Sequence, residues 1–154
     1  MKKIDAIDRH ILKILQQEGR LSNAALSQRV NLSPTPCLER VRKLEKNGYI
    51  TGYTARLDPA KLDCAFVTFV TVDLDRTNED VFDNFAKSVR NISEITECHM
   101  VGGGFDYLLK IRTASMAAFR KFYSEQLMAL PEVAQTNSYF VMEDVKSSNL
   151  MPIK

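Results

Sequence analysis

The sequence predicts an α+β protein, a helix-turn-helix head followed by a ferredoxin-like βαββαβ body. Three observations lead there. Apolar residues recur at helical spacing from Ile4 to Asn47, with one very short break. From Tyr49 the pattern changes to strand-type runs separated by helical segments. The charge changes at the same place: residues 1–50 hold ten Lys/Arg against five Asp/Glu, and residues 51–154 hold eleven against fourteen. The total of +2 therefore conceals a head of +5 and a body of −3, an asymmetry that points to nucleic-acid binding by the basic part.

Composition removes several classes. With 45% hydrophobic and 26% charged residues, 154 positions suffice for one average domain or two small ones. Three Cys, an odd count without C-x-x-C spacing, exclude a disulfide scaffold, and His10 and His99 stand too far apart in sequence to complete a zinc set, so no metal is expected. No apolar run reaches the ~18 residues of a membrane span, and Ile4-Asp5-Ala6-Ile7-Asp8 is too polar for a signal peptide. A reduced, cytoplasmic protein is expected. No P-loop, G-x-G-x-x-G, nucleophile–base set or carboxylate pair stands out, so neither an enzyme nor a cofactor is expected.

In the head, Ile4, Ile7, Ile11, Leu12, Ile14 and Leu15 share a helical face, with Asp5 as N-cap and Gly19 as the stop. Ser22 caps a second helix that turns Leu26 and Val30 inward. Asn31-Leu32-Ser33 makes the break, Asn31 being a residue that tolerates the left-handed conformation. Ser33-Pro34 restarts the chain as a third helix, with Pro at the first helical position and Pro36 still in the first turn. Two helices joined by so short a turn define the helix-turn-helix arrangement.

Placed at about 100° per residue with Leu38 at 0°, Val41, Cys37 and Leu44 complete an apolar arc running down to about 240°. The opposite arc holds Thr35, Pro36, Glu39, Arg40, Arg42, Lys43 and Lys46. Four cations thus share the surface that would enter a major groove. Arg40 and Lys43 suit phosphates or guanine edges, and Thr35 and Pro36 suit thymine methyls or backbone. Glu39 either accepts from cytosine N4 or pairs with Arg42 or Lys43.

Ser33-Pro34-Thr35-Pro36-Cys37 followed by Leu38-Glu39-Arg40-Val41-Arg42-Lys43-Leu44-Glu45 resembles the recognition helix of Lrp/AsnC family transcription regulators. Leu32 and the segment from Asp5 to Gly19 resemble the matching parts of that family's winged helix-turn-helix head, with Asn31 standing where Gly is commoner. Domain limits follow: residues 1–50 as DNA-binding head, 51–62 as strand-like linker closed by Asp58-Pro59, and 63–154 as effector-binding and oligomerisation domain.

In the body, Cys64 to Asp73 is apolar on both alternating sets, Phe66/Val70/Val72 and Val67/Phe69, so both faces of that strand must be buried. Helices cover one face and a second copy of the chain is expected on the other. Thr77 caps a helix carrying Val81, Phe82, Phe85, Ala86 and Val89, and Ile95 to Val101 makes a strand. Phe105 to Arg112 makes the next, Ser115 caps a helix with Met116, Phe119, Tyr123 and Leu130, and a last strand runs from about Gln135 to Val145. This order resembles the effector-binding domain of the same family, as do Phe105-Asp106-Tyr107-Leu108-Leu109-Lys110 and Val141-Met142-Glu143.

Gly102-Gly103-Gly104 reads equally as a hairpin loop, in which Gly supplies positive φ, or as a nest of N–H groups for a carboxylate. Asp106 is placed to receive an amino group, so nest and carboxylate together suit a zwitterion. The resemblance favours the second reading, because Gly103-x-x-Asp106 matches the family's effector motif, while Gly104 departs from a pattern in which an acidic residue is frequent. It further implies ligand contacts from Thr136 and Ser138, a small amino acid such as leucine as effector, and homodimers assembling to octamers on double-stranded DNA in a bacterial nucleoid. The expected function is a transcription regulator responsive to that effector. An architectural nucleoid protein without small-molecule response is the alternative.

Overall fold

The structure, a computed structural model, describes residues 4–75 and 78–154. It divides into two units: residues up to Arg56 together with Lys146–Lys154, and Leu57–Val145. The sequence places residues 146–154 with the body, whereas the final segment packs with the head. There Met151 N–H donates to the Gln16 side-chain oxygen at 2.9 Å, and the Gln16 amide returns a 3.3 Å bond to the Met151 carbonyl.

Among its described residues, the first unit contains α1 (Ala6–Leu15), α2 (Asn23–Arg29) and α3 (Pro34–Lys46), and no strand. Asp5 and Ser22 cap α1 and α2 by accepting from the backbone N–H three residues on, as expected. Ser33 occupies the N-cap position of α3 but makes no capping bond with its side chain. Instead, Asn23 of α2 donates to the Pro34 carbonyl at 2.8 Å, tying the two helices at the turn. Asn31 has φ 54°, the left-handed conformation the break needs. Gly19 does not cap α1, whose C-cap is Gln16; the chain makes further turns before Gly19. Ile11, Ile14, Leu15, Leu26, Val30, Cys37 and Leu44 form the core.

The second unit runs β1 (Phe66–Leu74), α4 (Glu79–Val89), β2 (Ile95–Met100), β3 (Tyr107–Thr113), α5 (Met116–Phe122) and β4 (Val133–Phe140). The four strands lie in the order β2-β3-β1-β4, each pair antiparallel, which is the ferredoxin-like topology expected. Thr77, the expected cap of α4, lies outside the described residues; Asn78 takes the N-cap position and accepts from Val81 N–H at 2.9 Å. β4 lies earlier than expected, ending at Phe140 rather than Val145. Tyr123–Leu127 continues α5 as a π-helix, a winding common where a helix carries a functional side chain.

The period of two divides the sheet. Val70, Val72, Leu109, Ile111 and Tyr107 face Phe85, Val89, Phe119 and Phe122 of the helices in one buried cluster. Each fully buried side chain of this size contributes about 1.5–3 kcal/mol. The other set contains Val67, Phe69, Thr71, Leu108, Lys110 and Tyr139. On that face Phe69 and Leu108 remain half-buried, and Tyr139, the cross-strand neighbour of Phe69, is 57% exposed.

Candidate nucleic-acid interface and effector site

The buried face of α3 is rotated from the one the sequence predicts. Cys37 and Leu44 are buried, and Val41 and Arg40 are half-buried, while Leu38 is 36% exposed. The buried arc is therefore centred near about 250° on the earlier scale, leaving Leu38 on one flank and Arg40 on the other. Thr35, Glu39, Arg42 and Lys46 face directly outward and are exposed, with Lys43 beside them and Pro36 half-buried. Ser33 is also exposed, as is Ser22 at the start of α2.

Arg40 departs most from expectation. Its Nη1 lies 2.7 Å from Asp5 Oδ2 and 2.7 Å from Asp8 Oδ1, so the guanidinium is held against the start of α1. The two hydrogen bonds raise its pKa still further, Asp5 before Asp8. Asp5 in turn sits below the ordinary carboxylate range, first through the Asp8 backbone N–H and then through Arg40. Asp8 carried the missed signal, an acid among the apolar residues of α1, 6% exposed. Arg42, Lys43 and Lys46 make no ion pair among the described residues. Burial pushes the Cys37 thiol up, in keeping with a core role.

In the second unit, the loop between β2 and β3 is closed by its own backbone. Val101 N–H donates to the Asp106 carbonyl at 3.0 Å, and Asp106 N–H donates to Val72 at 3.0 Å. The Asp106 carboxylate accepts from Leu74 N–H at 2.8 Å through Oδ2, which pins the loop to the end of β1. None of Gly102, Gly103 and Gly104 has positive φ, so the conformational reason for glycine fails. A Cβ placed on any of the three would meet no atom within 4 Å beyond its chain neighbours. Exposed on the surface, these glycines leave their backbone open to close approach from outside.

Thr136 pairs in register with Val72, opposite Tyr107 across β1, which brings it to the loop's end of the sheet. Its hydroxyl shares a 2.9 Å hydrogen bond with the Tyr123 hydroxyl at the start of the π-helix. Ser138 lies two pairs further, opposite Val70, and is half-buried. Tyr123, named from the sequence only as a helix-face residue, thus joins the site's surroundings. Among the described residues no cluster of three metal-ligating side chains occurs, and no helix is long and apolar enough to cross a membrane.

A basic three-helix unit with a tight second turn, followed by a βαββαβ domain with an open glycine loop, defines a DNA-binding regulator with a ligand-binding domain. Comparison with known proteins agrees: residues 4–51 match the winged helix-turn-helix DNA-binding family, and residues 67–151 match the Lrp/AsnC ligand binding domain. The chain belongs to the Lrp/AsnC family. It is 54% identical over 153 residues to the leucine-responsive regulatory proteins of Klebsiella pneumoniae and Escherichia coli, covering 99% of this chain and 93% of each relative. A transcriptional regulator from Neisseria meningitidis, solved as a complex with L-Met, shares 37% identity at a TM-score of 0.93, with 97% of both chains covered. An AsnC family regulator from Agrobacterium tumefaciens shares 33% at 0.92, again over 97% of both. These relatives are regulators, not enzymes.

Proposed function

We propose that this regulator binds double-stranded DNA through the outward face of α3 and a small amino acid, such as leucine, at the Gly102–Asp106 loop. The observation that carries the DNA contact is the exposure of Arg42, Lys43 and Lys46, three cations on one helix with no ion pair among the described residues. Thr35, Pro36 and Glu39 supply contacts near the helix start, and Ser22 and Ser33 supply hydroxyls for phosphates. Arg40 acts from behind, by holding α3 to α1.

The amino acid's carboxylate meets the N–H groups of Gly102, Gly103 and Gly104, and its ammonium meets the Asp106 oxygen that Leu74 leaves free. Thr136 and Ser138 lie on the neighbouring strand as further polar contacts. Homodimers form through the sheet face of Phe69, Leu108 and Tyr139, and assemble further to octamers. The effector then favours one assembly over another by differential affinity. The setting is cytoplasmic, on the bacterial nucleoid.

The test is fluorescence anisotropy on a duplex selected from a random library, with and without leucine. Affinity falling steeply with salt, and shifting on leucine addition, is the expected result. Salt-independent binding removes the DNA reading. An effect of no amino acid in a full panel leaves an architectural DNA binder.

A further inference from the structure

Resting on the DNA-binding reading above, we infer that Leu38 is a specificity-determining residue that packs on a thymine 5-methyl group in the major groove. Apart from the two prolines of its first turn, α3 covers its other apolar side chains: Cys37 is 0% and Leu44 2% exposed, and Val41 is half-buried. Leu38 alone stands out, at 36%. A single exposed Leu is ordinary on a protein surface, so its neighbours decide the matter. Thr35, Leu38 and Arg42 are spaced by three and four residues, which places them along one ridge of the helix, and all three are exposed.

Along that ridge the Thr35 methyl and Leu38 come first and Arg42 follows, with Lys43 and Lys46 on the same outward side. The occupant must therefore be strongly anionic at its rims and offer an apolar group between them. Duplex DNA has this chemistry: phosphate rows border a groove in which thymine presents a methyl. The early turns of a recognition helix are those that reach base edges, and Leu38 lies in the second turn of α3. Arg40, held at 2.7 Å by both Asp5 and Asp8, leaves this ridge as the reading surface.

The experiment replaces each thymine of a selected duplex in turn by deoxyuridine, which deletes only the methyl, and measures full-length wild type and Leu38→Ala by anisotropy at fixed salt. At one or two positions the wild type is expected to weaken about fourfold, the worth of one buried methyl-sized group. Leu38→Ala should bind the parent duplex about fourfold more weakly and show no further loss at those positions. Its salt slope and affinity for random duplex should equal the wild type's. Leu38→Met, which restores an apolar tip, should regain the methyl dependence. A wild type indifferent to every replacement overturns the inference while leaving DNA binding intact, as does a Leu38→Ala variant that keeps the full dependence. Dissociation of Leu38→Ala into smaller assemblies with unchanged methyl dependence assigns Leu38 to a protein interface and overturns it too. Absence of salt-dependent duplex binding by the wild type removes both readings together.

Discussion

Arg40 of α3 and Asp8 of α1 form an ion pair at 2.7 Å in which the acid's side chain is only 8% exposed and the arginine's 31%. Removing the cation leaves a nearly buried carboxylate with its counter-charge gone. Arg40→Ala should therefore destabilise the head by about 1–3 kcal/mol, measured by urea unfolding. It should also weaken DNA binding by loosening α3, without changing the salt slope. Lys43→Ala should instead lower that slope by about 0.9, the signature of one lost phosphate contact. Equal slope changes in the two variants would return Arg40 to the groove.

Acid should act on the same cluster. Asp5 is held below its ordinary value of 3.8 by the Asp8 N–H and then by Arg40. A depressed carboxyl contributes its stability in full above the unfolded value and loses it as pH falls through the folded one. The stability difference between wild type and Asp5→Asn should thus be constant at neutral pH and close below about pH 4. Urea midpoints of both proteins between pH 7 and pH 3 would show it; a difference unchanged at pH 3 would refute the pairing.

The Asp106 carboxylate holds Leu74 N–H and, in the proposed function, also meets the effector's ammonium, so the choice of substitution matters. Asp106→Ala removes the acceptor for Leu74 N–H, whereas Asp106→Asn keeps an oxygen there and removes only the charge. Asp106→Asn should weaken leucine binding about tenfold or more by calorimetry, since a charged hydrogen bond is worth about 1.5–3 kcal/mol. DNA affinity without amino acid should be unchanged. Wild-type leucine affinity in this variant would move the effector elsewhere.

The open sheet face should hold the dimer. Tyr139 is exposed in the single chain and sits opposite Phe69. Tyr139→Asp should leave the fold intact and weaken self-association roughly tenfold to a hundredfold, because a buried unpaired charge costs more than the ~1–3 kcal/mol of a neutral group. Sedimentation over a concentration series reads this directly, and an unchanged profile would exclude that face.

What the sequence announced and what it concealed divide by range. Asp5 and Ser22 as caps, Asn31 as the left-handed residue and the βαββαβ order are local or periodic, and the structure agrees with them. The face that α3 buries differs from the one its apolar wheel predicts, because the wheel counts apolarity while the neighbouring helices decide which side is covered. Leu38 moved outward and Arg40 was taken by two acids more than thirty residues away. No pattern around Asp106 mentions Leu74, and none around Thr136 mentions Tyr123, since these contacts exist only after strands and helix meet. The glycines were legible as unusual, but only the backbone angles removed positive φ as their explanation.

The return of Lys146–Lys154 to the first unit makes the second unit, topologically, an insertion within the first. Cutting the chain after Arg56 would yield a head that lacks the C-terminal segment hydrogen-bonded to Gln16. A tag fused to Lys154 would be tethered to the part that meets DNA, whereas one at a solvent-facing loop such as Ala114-Ser115 would be carried by the ligand-binding part. The same arrangement gives the inserted domain two covalent attachments to the head, one entering and one leaving.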